Sequence, residues 1–282
     1  MTRAEIYERG AGPSIRSNRQ VCPRRGRAAE SLIVGDGCAT FVLVTGAGAT
    51  SVLWNPVVVE LVLRGHRALP VELPGHGFDT VFPAGYQGPQ DLGMLAGAAS
   101  PIAGLSLDDY TERTIEVVRR VAAHGPVVLV GHSMGGSTVT RVANAVPELL
   151  ERMVYLCAYC CVNEPVVPAY APRVPVPGSP LARAREVAFV GDPRQTGVSR
   201  TNPLSGDPEV LAAQQALVGA ELDTVQVPAV LAYATQPDEP ARRARPRAGR
   251  PGHVGCRAAQ LHPHQRRRGR APRGAGPHDR RC

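Results

Sequence analysis

The stretch Val127-Val128-Leu129-Val130-Gly131-His132-Ser133-Met134-Gly135-Gly136 decides how this chain reads. The apolar, β-branched run after Pro126 suits a strand buried on both faces. Residues beyond Gly136, to about Ala145, read as a helix. Between them lies a G-x-S-x-G turn, in which a sharp reversal holds Ser133 in a strained backbone conformation with its hydroxyl exposed. Side chains two residues before and after that serine would collide with neighbouring backbone, and Gly131 and Gly135 have none. The helix N-terminus behind Ser133 favours negative charge developing there. A glycine-rich turn with an incidental serine is the plainer reading; the strand before it and the helix after it favour the chemical one.

Upstream, Ala39–Val44 is a first buried strand, ending at Gly46. From Ser51 to His66, Leu53, Val57 and Leu61 recur four apart beside a row of Trp54, Val58 and Val62, which predicts a helix with one apolar face. Ala68–Glu72 is a second strand closed by the turn Pro74-Gly75-His76-Gly77. Residues 78–105 read as a long excursion. Ser106 then caps a helix, with Asp109 completing a capping box and Tyr110, Ile115, Val117, Val118 and Val121 as its stripe. Downstream, Met153–Cys157 is a fourth strand. Residues 162–206 are rich in proline, Pro208–Gly219 looks helical, and Val227–Ala234 is a fifth strand. Strands alternating with helices imply a mostly parallel sheet flanked by helices.

The chain has 282 residues, 43% of them apolar, and a net charge of +8. That charge is unevenly placed. Residues 241–282 hold thirteen Arg against one acid, whereas 38–240 hold twelve Arg against nineteen acids. A basic groove specific for nucleic acid is therefore not a property of the presumed folded part. All 32 basic residues are Arg, which excludes a Walker A lysine and a Schiff-base lysine. No apolar stretch is long enough to span a bilayer. No signal peptide is evident, and the seven cysteines show no disulfide framework, so a cytoplasmic, reducing setting is expected. Cys157, Cys160 and Cys161 lack a second ligand pair at zinc spacing, so neither a metal nor a cofactor is expected.

The loop Thr45-Gly46-Ala47-Gly48-Ala49 follows the first strand. Two backbone N–H groups could hold an oxyanion there, one from Met134 and one from Ala47. A dinucleotide-binding turn is the competing reading, and it fails because no third glycine follows at the required spacing.

The run from Phe41 to Cys160 resembles the α/β-hydrolase superfamily, in particular the branch of plant methyl-esterases, hydroxynitrile lyases and their bacterial relatives. The residues that carry the resemblance are Leu43–Gly48, Glu72–Gly77, Val128–Gly136 and Tyr155–Ala158, and it extends more weakly to about Asp238. Thr45 departs from the pattern, since the family usually has His there. The resemblance implies an α/β-hydrolase fold with a lid or insertion at about 162–225 in a domain over 38–240. It also implies a serine hydrolase acting on a small ester or related acyl substrate, although a lyase or haloperoxidase-like reaction can occupy the same scaffold.

The family order is Ser, acid, His. It implies Ser133 as nucleophile and Asp238 as the acid, with Glu239 and Glu164 as alternatives. It also implies His262 as the base, with His264, His253 and His278 as alternatives, whereas His66, His76, His124 and His132 read as loop or turn residues. Residues 1–37 read as a disordered leader. Residues 241–282 supply neither a last strand nor a closing helix. They are read as the product of a reading-frame change, or, in the rival reading, as a polybasic arm binding without specificity. A chain lacking its histidine would be a catalytically impaired binding protein, and oligomeric state is left open.

Overall fold

The computed structural model describes residues 38–161, 167, 170, 177–218 and 226–245. Its centre is a parallel four-stranded sheet of order β2-β1-β3-β4, built from β1 (Thr40–Val44), β2 (Arg67–Pro70), β3 (Val127–His132) and β4 (Arg152–Leu156). β1 and β3 lie in the middle. Val42, Leu43, Val44 and Leu129 are wholly buried, as the continuous apolar runs predict for inner parallel strands. Parallel pairing requires crossovers, and helices supply them: α1 (Asn55–Leu63) between β1 and β2, α2 (Leu92–Gly97) and α3 (Leu107–Ala122) between β2 and β3, and α4 (Gly135–Ala145) between β3 and β4.

The main core lies where α3 and α4 pack on one face of the sheet. Tyr110, Val117 and Val118 of α3 meet Val139, Val142 and Ala143 of α4 over Val42, Val44 and Leu129. Ser106 begins α3 as the spacing predicts, its N–H and hydroxyl both donating to Asp109 Oδ2 at 2.8 and 2.7 Å. The other helix differs from expectation. Trp54 at its start is buried and Val58 and Leu61 are half-buried, but no residue of α1 itself is buried and Leu53, Val57 and Val62 are exposed, so its predicted apolar face is only partly covered by described residues.

Beyond β4 the described chain forms α5 (Pro180–Ala188), α6 (Pro193–Thr196), β5 (Val198–Arg200), α7 (Pro208–Val218), α8 (Gln226–Ala234) and β6 (Asp238–Pro240). β5 and β6 pair antiparallel in a small second sheet that the sequence did not suggest. The fifth strand expected at Val227–Ala234 is instead the helix α8. Its buried residues Val227, Leu231 and Ala234 stand four and three apart, a helical stripe hidden inside a short apolar run that fits either period. The leader 1–37, the arginine-rich segment from 246 onward and parts of the 162–225 insertion lie outside the described residues. Among the described residues, no helix is long and apolar enough to cross a membrane.

Candidate active site

After β1 the chain turns one way to β2 and later returns on the other side to β3, so the crevice between the ends of β1 and β3 is the topological switch point. Open α/β sheets bind ligands at such a place. Ser133 stands there, directly after β3. Its φ is +51°, a left-handed value that a serine adopts only under constraint. The constraint is visible in the backbone. The Ser133 N–H donates to the Leu156 carbonyl at the end of β4 (3.3 Å), and its carbonyl accepts from the Gly136 and Tyr159 amides at 3.2 and 3.0 Å. A methyl group at Gly135 would sit 2.6 Å from the Thr45 carbonyl oxygen, and one at Gly131 would sit 2.7 Å from Val139 Cγ2. Helix α4 can approach β1 only because those side chains are missing.

The loop after β1 passes directly over this serine. A methyl group at Gly46 would lie 2.8 Å from Ser133 Cβ and 3.3 Å from its Oγ. Ala47 follows in an exposed turn, and neither its N–H nor that of Met134 meets an acceptor among the described residues. Gly48 is anchored at both ends of its backbone: its N–H donates to Glu239 Oε2 (2.6 Å) and its carbonyl accepts from the Gln236 N–H (2.8 Å). The same Glu239 oxygen stands 3.2 Å from His76 Nε2, with both side chains almost wholly buried. His76 Nδ1 faces the Pro74 carbonyl at 3.1 Å. With both ring nitrogens engaged, His76 is not a base for Ser133.

Asp238 lies in β6, 3% exposed, and both its oxygens are taken by Arg200 of β5: Nε to Oδ1 at 2.5 Å and Nη2 to Oδ2 at 2.8 Å. The Arg200 Nη1 group donates to the Leu95 and Ala98 carbonyls at 2.6 and 2.9 Å, which satisfies the C-terminal end of α2. His262 and the other tail histidines lie outside the described residues. His132 is half-buried with its ring nearly perpendicular to that of Trp54, and its Nδ1 has no partner among the described residues. Burial pushes its pKa below the ordinary histidine value, because the charged form is the one penalised. No cluster of three or more potential metal ligands occurs among the described residues.

Sequence reasoning missed three features here: the Arg200–Asp238 pair, the Glu239–His76 pair and the grip of Gln236. Gln236 Oε1 accepts from the Gly77 N–H and the Thr80 hydroxyl, and its Nε2 donates to the Gly75 carbonyl. These partners lie 38 to 163 positions apart along the chain, and no local pattern marks them.

Residues 41–279 match the alpha/beta hydrolase family. The chain belongs to that family. The match runs through the arginine-rich segment. The part shared with the putative chloroplastic methylesterase 12 of Arabidopsis thaliana is 28% identical over 118 residues, 42% of this chain and 29% of that protein. With the (E)-2-((N-methylformamido)methylene)succinate hydrolase of Acinetobacter baylyi it is 29% identical over 130 residues, 46% of this chain and 41% of the other. The chain thus spans less than half the length of these curated relatives. A variant of polyneuridine aldehyde esterase shares the alpha/beta hydrolase fold with a TM-score of 0.52, at 18% identity over 72% of this chain and 70% of that one. An extracellular alpha/beta-hydrolase from a Paenibacillus species does so with a TM-score of 0.51, at 20% identity over 74% and 69%.

Proposed function

We propose that this alpha/beta hydrolase is a carboxylic ester hydrolase that acts on a small ester or related acyl substrate through Ser133 and without a cofactor. The observation that carries the reading is the left-handed Ser133 at the switch point, with the glycine loop after β1 against its side chain. The methylesterase and hydrolase names of its relatives support the same class of reaction. The acidic balance of residues 38–240 supports a small-molecule substrate over nucleic acid.

In this mechanism the Ser133 oxygen attacks the acyl carbon while His262 takes its proton. The Ala47 and Met134 amides donate to the resulting oxyanion. Collapse expels the alcohol, which receives that proton, and water then hydrolyses the acyl-enzyme by the same route. Asp238 is the assigned orienter of His262. Its engagement by Arg200 makes this the assignment that mutation must decide.

An active-site-directed fluorophosphonate tests the proposal. The folded chain should become labelled at Ser133, and Ser133→Ala should take no label. Esterase turnover should fall with it by a factor on the order of 10³ or more, as loss of a nucleophile does elsewhere. A folded wild-type chain that takes no label overturns the reading and leaves a binding protein without catalysis.

A further inference from the structure

We infer that Glu239 is a positioning residue for the oxyanion loop, holding the Ala47 amide toward Ser133 through its bond to the Gly48 N–H. The inference rests on the Ser133 and Ala47 assignment above. An oxyanion donor works only if its direction is fixed before charge develops, because reorganisation during reaction would cancel the gain. Ala47 itself is exposed and its N–H meets no acceptor among the described residues, so no described contact at that residue fixes it. Its neighbours do so from both sides. Gly46 is trapped against Ser133, with no room for a methyl group. On the other side Gly48, at φ +62°, is held by Glu239 through its N–H and by Gln236 through its carbonyl.

The residue type matters as well as the contact. An ionised carboxylate accepts hydrogen bonds and cannot donate them, so it favours the Gly48 N–H pointing at it and repels the Ala47 carbonyl that a flipped peptide would present. A charge-assisted bond of 2.6 Å in a partly buried site is a strong one. His76 fixes the carboxylate in turn. Its Nε2 stands 3.2 Å from the oxygen that Gly48 uses, where an Nε2–H donates to that oxygen, and its Nδ1 faces the Pro74 carbonyl at 3.1 Å. The Ala49–Thr235 bridge and the Thr50 N–H bond to the Ala234 carbonyl (2.9 Å) continue the seam. The catalytic serine and the segment that aims its oxyanion donor are thus more than a hundred positions apart in the chain.

The test compares the full-length chain with Glu239→Ala and Glu239→Gln. Thermal melting establishes which variants fold. Hydrogen exchange, read by mass spectrometry, follows the peptide covering residues 46–50 against one covering 127–132. Fluorophosphonate kinetics are resolved into the limiting phosphonylation rate and the probe concentration at half-saturation. In Glu239→Ala, exchange should accelerate over 46–50 and stay unchanged over 127–132. The limiting rate should fall about 10- to 100-fold, with half-saturation unmoved, as for a donor displaced by a fraction of an ångström. Glu239→Gln keeps an acceptor oxygen but can also present its NH₂, so it should recover all but a factor of about 3.

A folded Glu239→Ala with wild-type exchange over 46–50, or with a wild-type limiting rate, overturns the inference. So does a Gln variant as slow as Ala. If Glu239→Ala fails to fold, the Gln variant decides: wild-type rate with intact exchange supports the inference, and loss of rate without loosened exchange overturns it. A wild-type chain that takes no label defeats the Ser133 assignment and the catalytic half of this inference together. The exchange arm then reports separately whether Glu239 holds the loop.

Discussion

Residues 127–136 and residues 226–240 both reach the crevice above β1, yet different forces hold them there. The first segment is fixed by apolar burial and by hard contacts: an inner strand with Val127, Val128, Leu129 and Val130 all buried, and a turn in which two missing side chains let helix and strand touch. The second is fixed by buried polar groups: Gln236, Asp238 and Glu239 are each at most 5% exposed, and each has specific partners. Close packing degrades gradually, since neighbours can relax into part of a lost volume. A buried charge does not, because removing its partner leaves the whole desolvation penalty uncompensated. The crevice therefore has one wall that tolerates conservative change and one that fails abruptly.

The sharpest way to break this contrast is Arg200→Ala. It strips Asp238 of both its hydrogen bonds and leaves the Leu95 and Ala98 carbonyls without their donor. The expected loss is about 3–5 kcal/mol in urea or thermal unfolding. Replacing the pair together, as Arg200→Met with Asp238→Leu, should restore most of that stability. Asp238→Asn separates structure from catalysis. If it lowers stability while labelling of Ser133 persists, the carboxylate serves Arg200; if it leaves stability intact and abolishes turnover, it orients the histidine and the contrast fails.

In the apolar wall, Leu129→Ala should cost about 2–4 kcal/mol, with Leu129→Met much closer to wild type. Leu129 is wholly buried between β1 and β4. Equal damage from both substitutions would show that this strand tolerates change no better than the ionic wall. Next in size is Gly135→Ala, expected at about 1–3 kcal/mol, because its methyl group meets the backbone oxygens of Val44 and Thr45 at 2.7 and 2.6 Å rather than a side chain that could turn away. Its cost should appear together with slower labelling of Ser133, since relief requires β1 and α4 to separate beneath the turn.

The same contrast explains what was legible. The sheet, α3 with its Ser106 cap and the turn at Ser133 follow from patterns that close within a few residues, where spacing and backbone sterics leave one solution. Residues 227–234 were misread as a strand because an apolar run of that length satisfies either period, and its burial is decided by elements elsewhere. The carboxylates resisted for a stronger reason. Asp238 and Glu239 are adjacent, and sequence offers no ground for sending one to Arg200 and the other to His76 and Gly48. Alternation along β6 does so: successive side chains point to opposite faces, so neighbouring acids serve separate networks.

The smallest expected effect concerns the x position of the turn, His132. Its imidazole is half-buried beside Trp54, and burial lowers its pKa below 6.5. In the unfolded chain that histidine takes up a proton as pH falls through about 6.5, while in the fold it resists. The unfolded state then binds more protons, so this contribution is whole above pH 6.5 and fades as the solution is acidified below it. His132→Phe keeps an aromatic ring against Trp54 and removes the titration. The melting temperature of the variant should therefore fall less than that of the wild type between pH 7 and pH 5. Were the acid-side fall unchanged in His132→Phe, it would originate elsewhere in the chain, and the packed turn at Ser133 would be indifferent to pH.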